Sequence, residues 1–140
     1  MLTTGDYGMQ EEDRAKLDRI ALDRQQAHED LTARGSRVYQ AFLDIERATY
    51  ADGALEKRLK ELIAVGISVV VDCESCMEWH IGQALRAGAS EAQVLEAIEV
   101  AIEMGGGPAT VSSRFALKAL DYHQQARPGR VLQRRARRGP

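Results

Sequence analysis

Apolar residues recur at three- and four-residue intervals along most of the chain, the period of a helix buried along one face. Leu17, Ile20, Ala21, Ala27 and Leu31 form a first stripe, which ends near Gly35. Val38, Tyr39, Phe42, Ile45 and Thr49 form a second, and Asp52-Gly53 breaks the chain behind it. Leu55, Leu59, Leu62, Ile63, Ile67 and Val70 form a third. That third helix loses its polar side from Leu62 to Val71, which predicts a position at the centre of the fold or in a subunit interface. Val69-Val70-Val71 would also suit a strand, but no second segment offers itself as a partner. Asp72 is placed to cap a fourth helix, with Cys73 at its first position and a stop at Gly88. Ser90-x-x-Gln93 is a capping-box pattern ahead of Val94, Leu95, Ile98, Ala101 and Ile102. The run Gly105-Gly106-Gly107-Pro108 ends that helix, and Pro108 suits the first turn of a last one reaching about His123. The pattern predicts an all-α domain of about six helices.

Composition changes this picture little. With 140 residues, 44% of them hydrophobic and 29% charged, the chain reads as one globular domain over residues 1–125. Residues 126–140 read as a disordered basic tail, because Arg127 to Arg138 holds six arginines and no acid. Such a tail can dock on nucleic acid, an anionic membrane or an acidic partner. Aromatics at 5% leave little for base stacking, so nucleic acid is not the expected partner. The longest apolar run, Leu62 to Val71, is too short to span a bilayer. The N-terminal segment is acidic and lacks the apolar core of a secretory signal, so the cytoplasm is the expected compartment.

The chemistry gathers in Val69-Val-Val-Asp-Cys-Glu-Ser-Cys-Met-Glu-Trp-His80. On a helix Cys73, Cys76 and His80 share one face, and His80 lies one turn beyond Cys76. An imidazole there can take the thiol proton, and the helix N-terminus favours thiolate. Glu74, Glu78 and Asp72 oppose it. Two helical cysteines three apart stand slightly too far apart for a relaxed bridge, which predicts a strained, readily reduced disulfide. In a cytosolic chain such a pair is more often catalytic or metal-binding than a structural staple. A structural zinc site wants four ligands, and His28 and His123 are isolated. Those two histidines read as surface residues. Tyr50, Met77, Trp79 and Met104 read as core or interface residues.

The segments Cys-Glu-Ser-Cys-Met-Glu-Trp-His (73–80), Gly-Ala-Ser-Glu-Ala-Gln-Val-Leu-Glu-Ala-Ile (88–98) and Gly-Gly-Gly-Pro-Ala (105–109) resemble the alkylhydroperoxidase D-like branch of the carboxymuconolactone decarboxylase family. The family pattern of a glutamate one helix upstream, a Cys-x-x-Cys pair and a histidine four further on falls on Glu61, Cys73, Cys76 and His80. The resemblance covers a core of about residues 55–122. It implies an all-α bundle assembled as a trimer or hexamer. It also implies a thiol-dependent peroxide reductase with no cofactor or metal. In that scheme Cys76 attacks the peroxide, Cys73 resolves it, and Glu61 and His80 relay protons. A small dithiol or a lipoyl-bearing protein would be the reductant. One position departs: well-known peroxidase members carry a histidine directly before the second cysteine, where this chain has Ser75, which cannot act as a base near neutral pH. Lactone decarboxylation is not expected, because the decarboxylase branch of the family lacks the cysteine pair. The other reading is a non-catalytic oligomeric module that holds a metal or senses oxidation through the same Cys73, Cys76 and His80.

Overall fold

The computed structural model describes residues 8–126, and the arginine-rich tail lies outside the described residues. The described chain is helical without a strand: α1 (Glu11–Ala33), α2 (Arg37–Tyr50), α3 (Lys57–Val70), α4 (Glu74–Arg86) and α5 (Glu91–Gln125). The first three stripes and the fourth helix fall where their periodicity places them. The fifth and sixth expected helices form one element with a kink. Gly106 breaks α5 at φ 65°, ψ −145°, a conformation that suits glycine and few other residues. Pro108 therefore sits in the opening turn of the second half, where its missing N–H costs no helical bond. At the start of α5 the Ser90 and Gln93 capping box is fully formed.

The core lies where α3, α4 and α5 pack on one another. Val65, Val69, Met77, Ile81, Val94 and Ile98 are buried there, each contributing about 1.5–3 kcal/mol relative to exposure. At Gly66 α3 faces α5, where an added Cβ would meet the Ala97 carbonyl at 3.4 Å, an ordinary van der Waals contact. Helix α1 lies across α4 and α5 and buries only Leu17. Its docking is mostly polar: Lys16 meets Glu74 at 2.7 Å, Lys118 meets Asp13 at 2.6 Å, and the Tyr122 hydroxyl donates to Asp18 at 2.6 Å. Burial and the Asp18 contact push that hydroxyl up to about 12, so it remains a donor.

Helix α2 packs on α1 and α3, reaches α4 through the Tyr50 ring beside His80, and buries none of its residues. Val38, Phe42 and Ile45 all lie on the surface. The apolar half of α3 divides. Val65 and Val69 are core, while Ile63, Ile67, Val70 and Val71 are exposed. Ile63, Ile67 and Val70, with Leu55, Leu59, Val100 and Met104, line an open groove of about 810 Å³ between α3 and α5. Leu62–Val71 thus supplies both a core face and an uncovered apolar face.

Candidate active site

Helix α3 ends by closing backward. The Cys73 N–H reaches the Ser68 carbonyl at 3.0 Å and the Asp72 N–H reaches the Val69 carbonyl at 3.2 Å, a Schellman closure. It sets Asp72 in the left-handed region at φ 54°, where an aspartate is tolerated better than most side chains. The Asp72 carboxylate accepts a hydrogen bond from the Ser112 hydroxyl at 2.8 Å. Asp72 therefore terminates α3 rather than capping α4, a one-residue correction to the expected register. Cys73 is the cap: its backbone is extended (φ −102°, ψ 97°), and its Sγ accepts from the Cys76 N–H at 3.2 Å.

The two sulfurs are bonded as a disulfide, with the Cα atoms 5.2 Å apart, inside the usual range for a bridge. The expectation of strain assumed that both cysteines were helical. Because Cys73 lies just outside α4 with extended backbone, that argument does not apply here.

Glu61 of α3 and His80 of α4 meet across the helix pair, His80 Nδ1 lying 2.7 Å from Glu61 Oε2. Glu61 is only 2% exposed. A carboxylate in that contact accepts, so Nδ1 carries the hydrogen and Nε2 is left as the basic nitrogen. The other Glu61 oxygen lies 3.9 Å from Lys57 Nζ. The Tyr50 ring lies 5.4 Å from the imidazole, centroid to centroid. Burial raises the Tyr50 hydroxyl above its ordinary range, with the charges of Glu61 and Glu46 adding to it, so the phenol stays protonated.

A cavity of about 440 Å³ opens beside His80. Cys76 and His80 line it, together with Thr49, Tyr50, Lys60 and an apolar wall from Ile63, Ile67 and Val71. Cys73 is absent from its lining. A second, more polar cavity of about 380 Å³ reaches Glu61 from the other side, bounded by Tyr50, Lys57, Trp79 and Gln83 among others. Glu61 and His80 thus face separate cavities, and Tyr50 borders both.

Helix α4 carries a second acid–histidine contact. Glu78 is buried, and His123 Nε2 lies 3.1 Å from its carboxylate and 2.9 Å from its carbonyl. Arg24 of α1 lies 2.5 Å from the other carboxylate oxygen, an ion pair not aligned as a hydrogen bond. Burial alone would raise the Glu78 carboxyl; contacts from His123 and Arg24 outweigh it and hold the group below its ordinary value. His123 is consequently not the surface residue its sequence context suggests. The other histidine, His28, bonds the Tyr39 hydroxyl at 2.8 Å on the exposed side. Tyr50, Arg24, Glu78 and Lys60 carry no local sequence signal for a place at this site. Met77 is core, and Met104 belongs to the exposed groove. Among the described residues no three His, Cys, Asp or Glu side chains converge as a metal-holding group, and no helix is long and apolar enough to cross a membrane.

Comparison with known proteins places this geometry in a family. Residues 36–119 match the model of the carboxymuconolactone decarboxylase family. A curated relative, uncharacterized protein 4 in the cox locus of Paracoccus denitrificans, is 45% identical over 87 residues, which span 62% of this chain and 78% of that protein. A second, uncharacterized protein H16_B0147 of Cupriavidus necator, is 43% identical over 82 residues, spanning 59% of this chain and 70% of that protein. Among solved structures, the apo form of lpg0406, a carboxymuconolactone decarboxylase family protein of Legionella pneumophila, superposes with a TM-score of 0.70 at 28% identity, covering 79% of this chain and 96% of its own. A Thermotoga maritima member with a suggested role in the antioxidative response, TM1620, gives a TM-score of 0.69 at 26% identity, covering 76% and 91%. The chain belongs to the carboxymuconolactone decarboxylase family.

Proposed function

We propose that this protein is a thiol-dependent peroxide reductase of the alkylhydroperoxidase D-like type. The observation that carries the reading is the division of the two sulfurs. Cys76 shares a cavity with His80, whose far nitrogen is tied to Glu61, while Cys73 is bonded to Cys76 from outside that cavity. An attacking sulfur needs a basic nitrogen and access to substrate, and its resolving partner needs neither.

The cycle begins with both thiols reduced. His80 Nε2 takes the Cys76 proton, with Glu61 stabilising the imidazolium through Nδ1–H. The Cys76 thiolate attacks the outer oxygen of the peroxide, the O–O bond breaks, and the alkoxide leaves with the proton from His80 as an alcohol. Cys76 is now a sulfenic acid. The Cys73 thiol displaces its hydroxyl, forming the disulfide and releasing water. A dithiol reductant, either a small molecule or a lipoyl-bearing protein, then reduces the bridge by exchange and is itself oxidised to a disulfide. The apolar wall of Ile63, Ile67 and Val71 suits an organic peroxide better than a fully polar one.

The exposed apolar groove between α3 and α5 and the outward side of α2 fit a homo-oligomer, a trimer or hexamer by family analogy, working in the cytoplasm. The test is consumption of cumene hydroperoxide with dihydrolipoamide as reductant. Wild type turns over, and Cys76→Ser abolishes turnover. A Cys76→Ser variant as fast as wild type refutes the assignment.

A further inference from the structure

Arg24 stands outside the family-matched segment, yet it reaches the middle of the dithiol turn. Its Nη2 donates to the Ser75 carbonyl at 3.1 Å and lies 3.3 Å from the Ser75 hydroxyl. Ser75 lies between the two cysteines. Two groups fix the guanidinium, and a third holds one of them. The buried Glu78 carboxylate pairs with it at 2.5 Å, the Trp79 ring lies under it at 5.0 Å, and Glu78 is itself held by His123. The His123 ring fits only because residue 82 is glycine: a Cβ there would stand 2.7 Å from the ring carbon Cε1. A chain of fixed groups therefore runs from α5 through α4 to α1 and back to the Ser75 carbonyl.

We propose that Arg24 is a positioning residue that holds the first turn of α4 so that the Cys73 and Cys76 sulfurs stay within bonding reach when the bridge is open. Arg24 does not line the cavity that holds Cys76 and His80, so it has no part in peroxide attack. It acts on closure, the second step of the proposed cycle, and to that extent the inference rests on that reading. Reduction removes the covalent link. What then keeps Cys73 facing Cys76 is the backbone closure of α3, the Cys76 N–H, and the grip of Arg24 on the intervening carbonyl. Holding two groups in a reactive arrangement raises their effective concentration. The guanidinium, stacked on the Trp79 ring, is held in place more firmly than a lysine ammonium on its flexible stem would be.

Equilibration of the reduced protein with glutathione and oxidised glutathione measures that effective concentration without any peroxide. One thiol attacks oxidised glutathione to give a mixed disulfide and one glutathione. The other thiol then displaces the second glutathione and closes the bridge. Arg24→Gln lowers the effective concentration about tenfold, and Arg24→Lys lowers it by less. Lys118→Ala serves as the control, because it removes another anchor of α1, on Asp13, and leaves Ser75 untouched; its value stays within about twofold of wild type. Equal values for Arg24→Gln and wild type overturn the proposal. So does a fall in Lys118→Ala as large as that in Arg24→Gln, since the effect then belongs to helix docking. An unchanged value for Arg24→Gln beside intact peroxide turnover defeats this inference alone. A protein that consumes no peroxide yet shows the tenfold fall defeats only the peroxidase reading.

Discussion

Glu61 and His80 are nineteen residues apart in sequence, on different helices, and their side chains meet at 2.7 Å with the glutamate buried. This contact decides which imidazole nitrogen is basic. With Nδ1 committed to the carboxylate, Nε2 is the nitrogen that the proposed cycle assigns to Cys76. His80→Ala is expected to lower peroxide turnover by about 10²–10³-fold, in line with loss of a positioned general base. Glu61→Gln is expected to cost about tenfold or more, because the amide no longer stabilises an imidazolium. Steady-state rates at saturating reductant check both. Equal losses of less than threefold would remove the pair from the mechanism.

The Glu78 cluster predicts a particular acid response. Its folded-state carboxyl is held below the ordinary value of 4.5. The unfolded chain therefore binds the proton first as pH falls, and the stabilisation is present above about pH 4.5 and is lost below it. Glu78→Gln is expected to be less stable than wild type by about 2 kcal/mol at pH 7. Urea denaturation at several pH values should show that gap narrowing between pH 5 and pH 3. A gap that stays constant would mean that the carboxylate charge contributes nothing.

The apolar groove predicts assembly. Leu59 and Val100 lie on its exposed walls, away from the cavity lined by Cys76. A buried carboxylate at either position is costly unless it is paired. Leu59→Glu and Val100→Glu are therefore expected to shift the protein to a smaller species by light scattering, without loss of helicity. Wild type that is monomeric at micromolar concentration would contradict this.

The cysteine-histidine spacing and the helix boundaries were legible because each is local, whereas Glu61 entered only through the family resemblance. The Cys-x-x-Cys-x-x-x-His spacing, the Ser90 capping box and the glycine run each occupy one or two helical turns. The register at Asp72 was not legible. An aspartate before a helix suits an N-cap, but it also tolerates the left-handed turn that closes α3, and only the hydrogen bonds to Ser68 and Val69 separate the two. The division of α3 was half legible. Apolar residues all round a helix mark burial on every side, without saying whether the chain itself or a second copy provides it. Arg24 and His123 were not legible at all. Arg24 lies fifty-one residues from Ser75, and His123 lies forty-five residues from Glu78. Nothing periodic marks either contact, which exists only through the way α1 and α5 cross α4.

In the proposed cycle Cys76 is the sulfur that meets peroxide. The most direct measurement is a single turnover of the reduced Cys73→Ser variant with one equivalent of cumene hydroperoxide and dimedone, followed by peptide mass spectrometry. A stoichiometric dimedone adduct on Cys76 is expected, lost when His80 is also replaced by alanine. An unmodified Cys76 thiol in that variant, together with a dimedone adduct on Cys73 in the reciprocal Cys76→Ser protein, would contradict it.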